Sequence, residues 1–263
     1  SFPDAKIPKQ EGYYLSGFGG GWVQWQDNFG NVSYPGVKPT ELEFLAEIPN
    51  IFIERLRAFC QQQASFLSHE TVEEALSAVV LTNQISPTIN LNTFFSLLIS
   101  YPQIYLTLQQ QVKTLMDELL QEAQKKGLGE SFFVHYAPNL GRDEQGLEIM
   151  RPATENDSGT TDFQFMLKGA VKEIGVLFLL NHYYHQRTGK YPLGTVFSPQ
   201  QAPQNIQQLL NIVKDNFSPE LMPLILGVGD TVNTQVTWKN NEKIVKRGGS
   251  DRNFLQLIQN TGK

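Results

Sequence analysis

Two aspartates near the end of the chain follow patterns that suit the binding of a divalent cation. Asp230 comes directly after an apolar run, residues 221–229, in which two glycines allow a close approach of the backbone. An aspartate at the carboxyl end of a buried strand is a typical ligand of a metal ion, or a neighbour of a bound phosphate. A plain turn at the strand end is the alternative interpretation, since Gly-Asp is also a common turn sequence.

Asp251 opens a predicted C-terminal helix, where an acid also serves as an N-terminal cap. Between the two aspartates, residues 233–246 form a polar, hairpin-like insertion. If this insertion folds back on itself, Asp230 and Asp251 converge as paired acids on one metal ion.

Lys172 lies in the first turn of a helix predicted over residues 171–188. The helix macrodipole favours acids at this end, so a lysine here needs another reason. Neutralising a phosphate held between this helix start and the strand before Asp230 is one reason. An exposed lysine without a function is the other.

These patterns resemble those of a known family. Residues 169–176 are similar to the third motif of haloacid-dehalogenase-type phosphatases, and residues 229–231 with 250–255 are similar to the fourth, split by an insertion. Longer stretches over nearly the whole chain resemble cyanobacterial glucosylglycerol-phosphate phosphatases. They comprise residues 23–27, 40–45, 132–144, 157–167, 191–194 and 247–252.

The resemblance implies an α/β fold, with a haloacid dehalogenase-like core of Rossmann type and an α+β cap domain. It also implies that an aspartate attacks the phosphoryl group while Mg²⁺ neutralises charge. Lys172 would hold the phosphate, Asp230 would bind the metal and act in catalysis, and Asp251 would support the metal. The implied activity is the hydrolysis of glucosylglycerol 3-phosphate in compatible-solute synthesis under salt stress, with the glucosylglycerol-phosphate synthase as a candidate partner.

One motif of the resembled family has no counterpart in the chain. The attacking aspartate belongs to an Asp-x-Asp motif, and no two aspartates here are separated by a single residue. The chain also begins without Met, so we expect the N-terminal part of the core to be missing and the isolated chain to be inactive. Two alternatives stay open: a non-catalytic binding fragment, and a phosphatase for another phosphosugar such as a sucrose or trehalose phosphate.

We expect the cap surface that faces the sugar to lie between residues 132 and 165. Polar side chains on loops beside short strands would supply fixed donors and acceptors for hydroxyl groups. The candidates are His135, Asn139, Arg142, Asp143, Ser158, Thr160 and Asp162, with Glu11 and Gly12 as further candidates. Solvated loops without a ligand are polar as well, which is the alternative. For His182 and His185 we expect packing or exposure rather than zinc binding, since no third ligand is near in sequence.

Hydrophobic periodicity predicts the elements that position these residues. Short strands or a hairpin are expected over residues 12–33, followed by helices over residues 40–59, 69–82, 92–100 and 102–126. Strands are expected at 132–136, 147–150 and 163–167, then helices at 171–188 and 202–217, a buried strand at 221–229 and a helix from 251. Thr40 and Glu43 predict a capping box, and Pro49 predicts a break or a kink.

Three segments are predicted from these elements. Residues 1–35 are the end of a core and the entry to the cap, residues 36–167 are the cap, and residues 168–263 are the C-terminal part of the core.

Composition narrows the classes of partner. The 263 residues carry a net charge of −5, which argues against nucleic acid or an anionic membrane as the main partner. No apolar run approaches the roughly 20 residues of a membrane span. The single cysteine excludes an intrachain disulfide and fits a reducing, cytoplasmic location. Within these limits, the resemblance to the phosphatase family implies a small phosphosugar as the partner and Mg²⁺ as the cofactor.

Overall fold

The computed structural model describes residues 7–19, 23–145, 147–195, 197, 202–203, 205–226, 234–239, 242–247 and 252–261. The chain forms two units: a central unit of residues 37–168, and a terminal unit of residues 1–36 and 169–263. These boundaries lie one residue beyond those of the predicted segments. The assignment of the segments to a cap and a core stays a prediction.

The helices and strands alternate irregularly along the chain. In order they are β1 (Gly17–Gly19), β2 (Gln24–Gln26), β3 (Val32–Ser33), α1 (Pro39–Gln63), α2 (His69–Val79), β4 (Val80–Leu81), β5 (Thr88–Asn90), α3 (Asn92–Leu97), α4 (Pro102–Lys125), β6 (Phe132–Ala137), β7 (Asn139–Arg142), β8 (Glu148–Met150), β9 (Asp162–Leu167), α5 (Lys172–Thr188), α6 (Ile206–Asn216), β10 (Thr234–Lys239), β11 (Glu242–Arg247) and α7 (Arg252–Thr261). The mixed α/β class expected from the sequence is thus confirmed.

Helix α1 begins two residues before the predicted capping box. Pro39 occupies the first helical position, where its fixed φ favours helix initiation, and the Lys38 N–H donates to Glu41 Oε2 at 2.9 Å. The box therefore involves Lys38 and Glu41, and the prediction of Thr40 with Glu43 is wrong. The helix continues through Pro49 without ending, because its apolar side chains at three- and four-residue spacing are buried.

A buried hydrogen bond between a carboxyl group and a hydroxyl group joins α1 to the start of the central sheet. Glu41 is fully buried, and the Ser131 hydroxyl donates to its Oε1 at 2.6 Å. A buried carboxylate is costly without such partners, so this pair stabilises the position of β6 relative to α1.

The central unit contains a four-stranded sheet in the order β4-β5-β9-β6. Every neighbouring pair in it is antiparallel. Helix α4 contacts β6 and β9, while α1 contacts α2 and α4. The short pair β7 and β8 lies beside the sheet, where β8 contacts β6. The unit is therefore an antiparallel sheet with helices packed against it, an α+β arrangement.

The terminal unit is built around helices α5, α6 and α7. Leu177, Leu180, Leu209, Val213 and Leu257 belong to one buried cluster between them. Strands β1, β2 and β3 form an antiparallel sheet, as the predicted hairpin requires, and β10 pairs with β11 as the predicted hairpin-like insertion.

The predicted buried strand over residues 221–229 is wrong for the residues that the structure describes. Pro219–Leu221 form a 3-10 turn, and residues 222–226 adopt no regular secondary structure. Leu224 and Leu226 are 90% and 88% exposed. An apolar run is buried as a strand only where neighbouring strands pair with it, and none of the described residues does so. Residues 227–229 and Asp230 lie outside the described residues.

The described strand pairs are all antiparallel, so a parallel Rossmann-type sheet is not seen among them. No helix in the described part of the chain has both the length and the apolar character needed to span a bilayer.

Candidate functional site

The central sheet has one apolar face and one polar face. Along β9, Phe163, Phe165 and Leu167 are buried, whereas the residues between them are half-exposed. Successive side chains of a strand point to opposite faces, so Asp162 and Gln164 share the polar face. His135 on β6 pairs directly with Gln164, and Asn90 on β5 pairs with Asp162. We call this surface, comprising Asn90, His135, Asp162 and Gln164, the open face.

Three of the predicted sugar-binding residues converge on one carboxylate beside the open face. Glu148 on β8 is only 6% exposed and lies 2.9 Å from His135 Nδ1. Asn139 Nδ2 donates to its Oε2 at 3.1 Å, and the Arg142 guanidinium donates to its Oε1 at 2.9 Å. The backbone N–H of Tyr136 donates to Oε2 at 2.9 Å. The side chains of His135, Asn139 and Arg142 are therefore held in one hydrogen-bonded cluster.

The charge state of Glu148 follows from these contacts. Burial by itself raises the pKa of a carboxyl group. For Glu148, the hydrogen bonds from the His135 ring and the Tyr136 backbone N–H, together with the positive charge of Arg142, outweigh burial, so its net pKa is lowered. Glu148 is thus ionised at neutral pH and accepts hydrogen bonds only.

For Asp162, in contrast, the effect of burial on the pKa outweighs the effect of its hydrogen bond. Burial raises its pKa, and the hydrogen bond from Asn90 Nδ2 at 2.6 Å offsets only part of this effect. A half-buried carboxylate that the fold disfavours is a common feature of binding and catalytic sites.

Two other predicted residues of this region, Asp143 and Thr160, form side-chain hydrogen bonds with backbone groups. Asp143 Oδ1 accepts hydrogen bonds from the backbone N–H groups of Gln145 and Leu147, at 3.0 and 2.8 Å, and so closes a turn. Thr160 is fully buried, its hydroxyl donating to Pro138 O at 2.6 Å and accepting from Arg151 N at 2.9 Å. Thr160 therefore supports its loop rather than presenting a group to a ligand.

Ser158 is half-buried, and its carbonyl oxygen accepts a hydrogen bond from the Tyr105 hydroxyl at 3.2 Å. Its position is thus fixed from the helical side of the central unit, because Tyr105 lies on α4.

The other predicted residues belong to the terminal unit. Lys172 is the first residue of α5, after Val171 in an extended conformation, so its predicted place in the first helical turn is confirmed. Glu11 accepts a hydrogen bond from Asn28 Nδ2 at 3.3 Å, and Gly12 has a φ of +93° in the same turn region. Asp230 and Asp251 lie outside the described residues.

The two histidines of α5 pack against aromatic rings. The His182 ring lies 5.0 Å from the Trp25 ring, and the His185 ring stacks on Tyr191 at 3.8 Å. Burial and the charge of His185 lower the pKa of His182. Among the described residues, no group of three or more His, Cys, Asp or Glu could hold a metal ion. The ring contacts with Trp25 and Tyr191 give both histidines a role in packing.

A cavity of about 550 Å³ lies beside this aromatic group. Phe18, Trp25, Phe178, Tyr191 and Phe197 supply its aromatic lining, and Asn181 and Thr195 add polar groups. The side chain of Asn181 is already bonded to Gly194 O and Leu193 N.

Two residues of the central site were missed from the sequence. Glu148 was predicted only as part of a strand, and Asn90 lay in none of the predicted elements. A lone acid between Leu147 and Ile149 is the signal that could have identified Glu148, because glutamate is rarely buried unless it is paired. No comparable signal marks Asn90.

The fold and site together define a mixed α/β protein with a polar, hydrogen-bonding sheet face. Over residues 1–263, the sequence matches the family described as glucosylglycerol-phosphate phosphatase, and the chain belongs to that family. The resemblance seen in the sequence is thereby confirmed.

A relative from Synechocystis sp. (strain ATCC 27184 / PCC 6803 / Kazusa), the glucosylglycerol-phosphate phosphatase, is 58% identical over 262 residues. The match covers 100% of this chain and 62% of the length of that relative. No solved structure matches the chain.

Proposed function

We propose that the protein is a Mg²⁺-dependent phosphatase that hydrolyses glucosylglycerol 3-phosphate to glucosylglycerol and phosphate. The observation that carries the proposal is the match of residues 1–263 to the glucosylglycerol-phosphate phosphatase family. The 58% identity to the Synechocystis relative extends over the whole of this chain and supports the same substrate. The product would be a neutral compatible solute, made under salt stress.

In this proposal the open face and the Glu148 cluster bind the sugar. A glucosyl group offers several hydroxyl groups, each able to donate and accept a hydrogen bond. His135, Asp162 and Gln164 place a ring nitrogen, a carboxylate and an amide on one rigid sheet face. Specific ligand sites typically consist of a few such fixed polar groups.

Lys172 is the proposed phosphate ligand. As the first residue of α5, it adds its ammonium charge to the positive end of a 17-residue helix. Both features favour a bound anion, and first-turn N–H groups commonly bind phosphate. In the reaction, Lys172 would stabilise the negative charge on the phosphoryl group and on the attacking carboxylate.

Asp230 and Asp251 are the proposed metal ligands. Two aspartate carboxylates form a hard oxygen donor set of the kind that Mg²⁺ prefers. A bound Mg²⁺ would supply neutralisation of charge on the phosphoryl oxygens. The proposal assigns no nucleophile to this chain, because no aspartate in it has the Asp-x-Asp spacing.

The test is Mg²⁺-dependent release of phosphate from glucosylglycerol 3-phosphate by the full-length protein. We expect Lys172→Ala to lower kcat/KM by about 100-fold or more, the usual effect of removing a charge-stabilising group. Lys190→Ala, which removes an exposed lysine of the same unit, is the matched control and should leave turnover unchanged. Equal turnover in wild type and Lys172→Ala would contradict the assignment of Lys172.

The metal ligands are tested in the same assay. Asp230→Asn and Asp251→Asn should raise the Mg²⁺ concentration needed for half-maximal activity. Asp215→Asn, an exposed aspartate on α6, should leave it unchanged. Full activity in the presence of a chelator would contradict the proposed cofactor.

A second candidate function is a binding module without catalysis, favoured by the lack of an Asp-x-Asp motif. Binding of glucosylglycerol without phosphate release by the full-length protein would support it. A substrate such as a sucrose or trehalose phosphate is the third candidate. It would replace the main proposal if its kcat/KM exceeded that of glucosylglycerol 3-phosphate.

Two parts of the proposal concern the cell. A cytoplasmic location is supported by the single cysteine, Cys60, which is buried and free. Contact with the synthase that makes the phosphorylated substrate would pass it directly between the two active sites. Co-purification of the synthase with the full-length protein would test that contact. We expect the synthase to be lost from the purified complex after mixing with excess free substrate.

A further inference from the structure

His135 makes hydrogen bonds through only one of its two ring nitrogens, among the residues that the structure describes. Nδ1 lies 3.1 Å from Glu148 Oε1 and 2.9 Å from Oε2. Nε2 has no hydrogen-bond partner within the described ranges. The imidazole side chain is about 30% exposed. One edge of the ring is therefore fixed by the protein, and the other is available to a ligand.

The partners of Glu148 determine which nitrogen of His135 carries the proton. The backbone N–H of Tyr136, the amide of Asn139 and the guanidinium of Arg142 all donate to the Glu148 carboxylate. A carboxylate that accepts three such hydrogen bonds and is ionised has only acceptor oxygens to offer to Nδ1. Nδ1 must then be the protonated nitrogen. In a neutral imidazole, this leaves a lone pair on Nε2, so Nε2 is a hydrogen-bond acceptor.

The surroundings of Nε2 favour a ligand that donates hydrogen bonds. His135 lies opposite Gln164 in the sheet register, and Asp162 is two residues before Gln164 on the same face. Asp162 is close enough for its charge to interact with His135. An acceptor nitrogen beside a carboxylate suits the O–H groups of a polyol. The same arrangement repels an anion, so the phosphate end of a substrate must point away from it.

We propose that Glu148 is a positioning residue, which holds His135 in its Nδ1–H form so that Nε2 accepts a hydrogen bond from a hydroxyl group of the sugar. The proposal rests on the function proposed above, because it identifies the part of the substrate that the open face binds. Glu148 itself does not contact the substrate. It acts by fixing the orientation and the tautomer of His135. The same carboxylate also holds the side chains of Asn139 and Arg142.

The tautomer is measured directly by NMR of the chain with ¹⁵N-labelled histidine, near neutral pH. We expect the His135 resonances to show a protonated Nδ1 and an unprotonated Nε2, and Glu148→Gln to lose this pattern. Glutamine would present an NH₂ donor to a cluster of donors, and would release the ring. Glu144→Gln, which changes an exposed carboxyl group in the neighbouring turn, should keep the pattern. A protonated Nε2 in the wild-type protein would overturn the proposal.

Kinetics of the full-length protein separate positioning from a purely structural role. Glu148→Gln should raise KM for glucosylglycerol 3-phosphate by about tenfold, equivalent to about 1.4 kcal/mol. It should change kcat by less than about threefold, because the lost interaction is uniform in ground and transition states. Glu144→Gln should change neither. Equal KM values for the two variants would contradict the role of Glu148.

A second pair of variants tests the acceptor itself, and it does not depend on the folding of Glu148→Gln. His135→Gln keeps an acceptor oxygen close to the position of Nε2, whereas His135→Leu removes it. We expect the glutamine variant to have a KM between those of wild type and the leucine variant. Indistinguishable KM values for the two His135 variants would show that no acceptor is needed there.

The outcome also distinguishes this proposal from the proposed function. If the wild-type protein released no phosphate, the proposed function would fail. Binding of neutral glucosylglycerol to the wild-type chain and to Glu148→Gln, measured by calorimetry, would then decide the inference alone. Equal affinities would overturn it, and weaker binding by Glu148→Gln would support it.

Discussion

The side-chain amide of Gln109 donates a hydrogen bond to the carbonyl oxygen of Thr160 at 2.9 Å, across 51 positions of the chain. Gln109 lies on α4 and is almost completely buried. Its Oε1 accepts a hydrogen bond from Ala153 N at 2.9 Å, and its Nε2 also lies 3.2 Å from Ser158 O. The side chain of Gln109 thus supplies hydrogen bonds to backbone groups of residues 151–160 that other backbone groups do not supply.

The first prediction concerns this loop. Gln109→Ala leaves a buried N–H and at least one buried carbonyl group without partners, so it should lower the free energy of unfolding by about 2 to 4 kcal/mol. Urea unfolding of the chain, followed by circular dichroism, measures this change. Gln110→Ala, the exposed neighbour on the same helix, should cost less than about 0.5 kcal/mol. Equal effects of the two substitutions would show that Gln109 does not hold the loop.

The second prediction concerns Asp162, whose pKa is raised above 3.8 mainly by burial. The folded state then binds the proton more tightly than the unfolded state. The contribution of this group to stability is therefore largest at acidic pH, and it declines as pH rises through the folded-state pKa. At neutral pH the ionised carboxyl group is a cost to the fold.

Asp162→Asn removes that cost and keeps an acceptor for Asn90. We expect the variant to be more stable than wild type near neutral pH, by at most about 1 kcal/mol since solvent screens a half-exposed group. The advantage should disappear in acid, below the pKa of the free side chain. Sugar binding should weaken at the same time. Thermal unfolding from acidic to neutral pH measures the difference, with Glu144→Gln as the exposed control. The prediction would be refuted if the stability of Asp162→Asn relative to wild type were lower at neutral pH than in acid.

The third prediction concerns the thiol of Cys60, which is buried in α1. Burial raises the pKa of this thiol to about 11. Because the thiolate is the reactive form, we expect alkylation near neutral pH to be at least about 100-fold slower in the native chain than in concentrated urea. Cys60 is the only cysteine, so the labelling rate reports on the packing of α1 alone. Equal rates in buffer and in urea would contradict the burial of this helix face.

The fourth prediction concerns the segment after α6. Leu224 is 90% exposed, so Leu224→Ser should change the free energy of unfolding of the 263-residue chain by less than about 0.5 kcal/mol. Leu209→Ala, in the buried cluster of the same unit, should cost about 2 to 5 kcal/mol. Urea unfolding of both variants measures these changes in the free energy of unfolding. A large effect of Leu224→Ser would favour the buried strand that the sequence predicts.

Elements with a strong period could be predicted from the sequence. The spacing of Leu45, Ile48 and Phe52 predicts α1, and the alternation of Phe163 and Phe165 with other residues predicts β9. Their ends were less well predicted, because Pro39 and the Lys38–Glu41 contact move the start of α1. The apolar run after residue 220 was misread, since periodicity cannot show whether neighbouring strands are present to bury it.

The candidate site could be predicted only in part. The polar types of His135, Asn139 and Arg142 indicated hydrogen bonding, but their common partner depends on the return of β8 beside β6. Thr160 shows the opposite error, because a hydroxyl group in the sequence carries no sign that Pro138 O and Arg151 N occupy it. Such assignments depend on contacts between residues that are distant along the chain.

The alternation of the central sheet has a consequence for how this family can evolve. Substitutions at Asn90 and Gln164 alter the open face, while Phe163 and Phe165 maintain the core on the opposite face. The polar groups that this face presents can therefore change over evolution without a matching loss of folding stability.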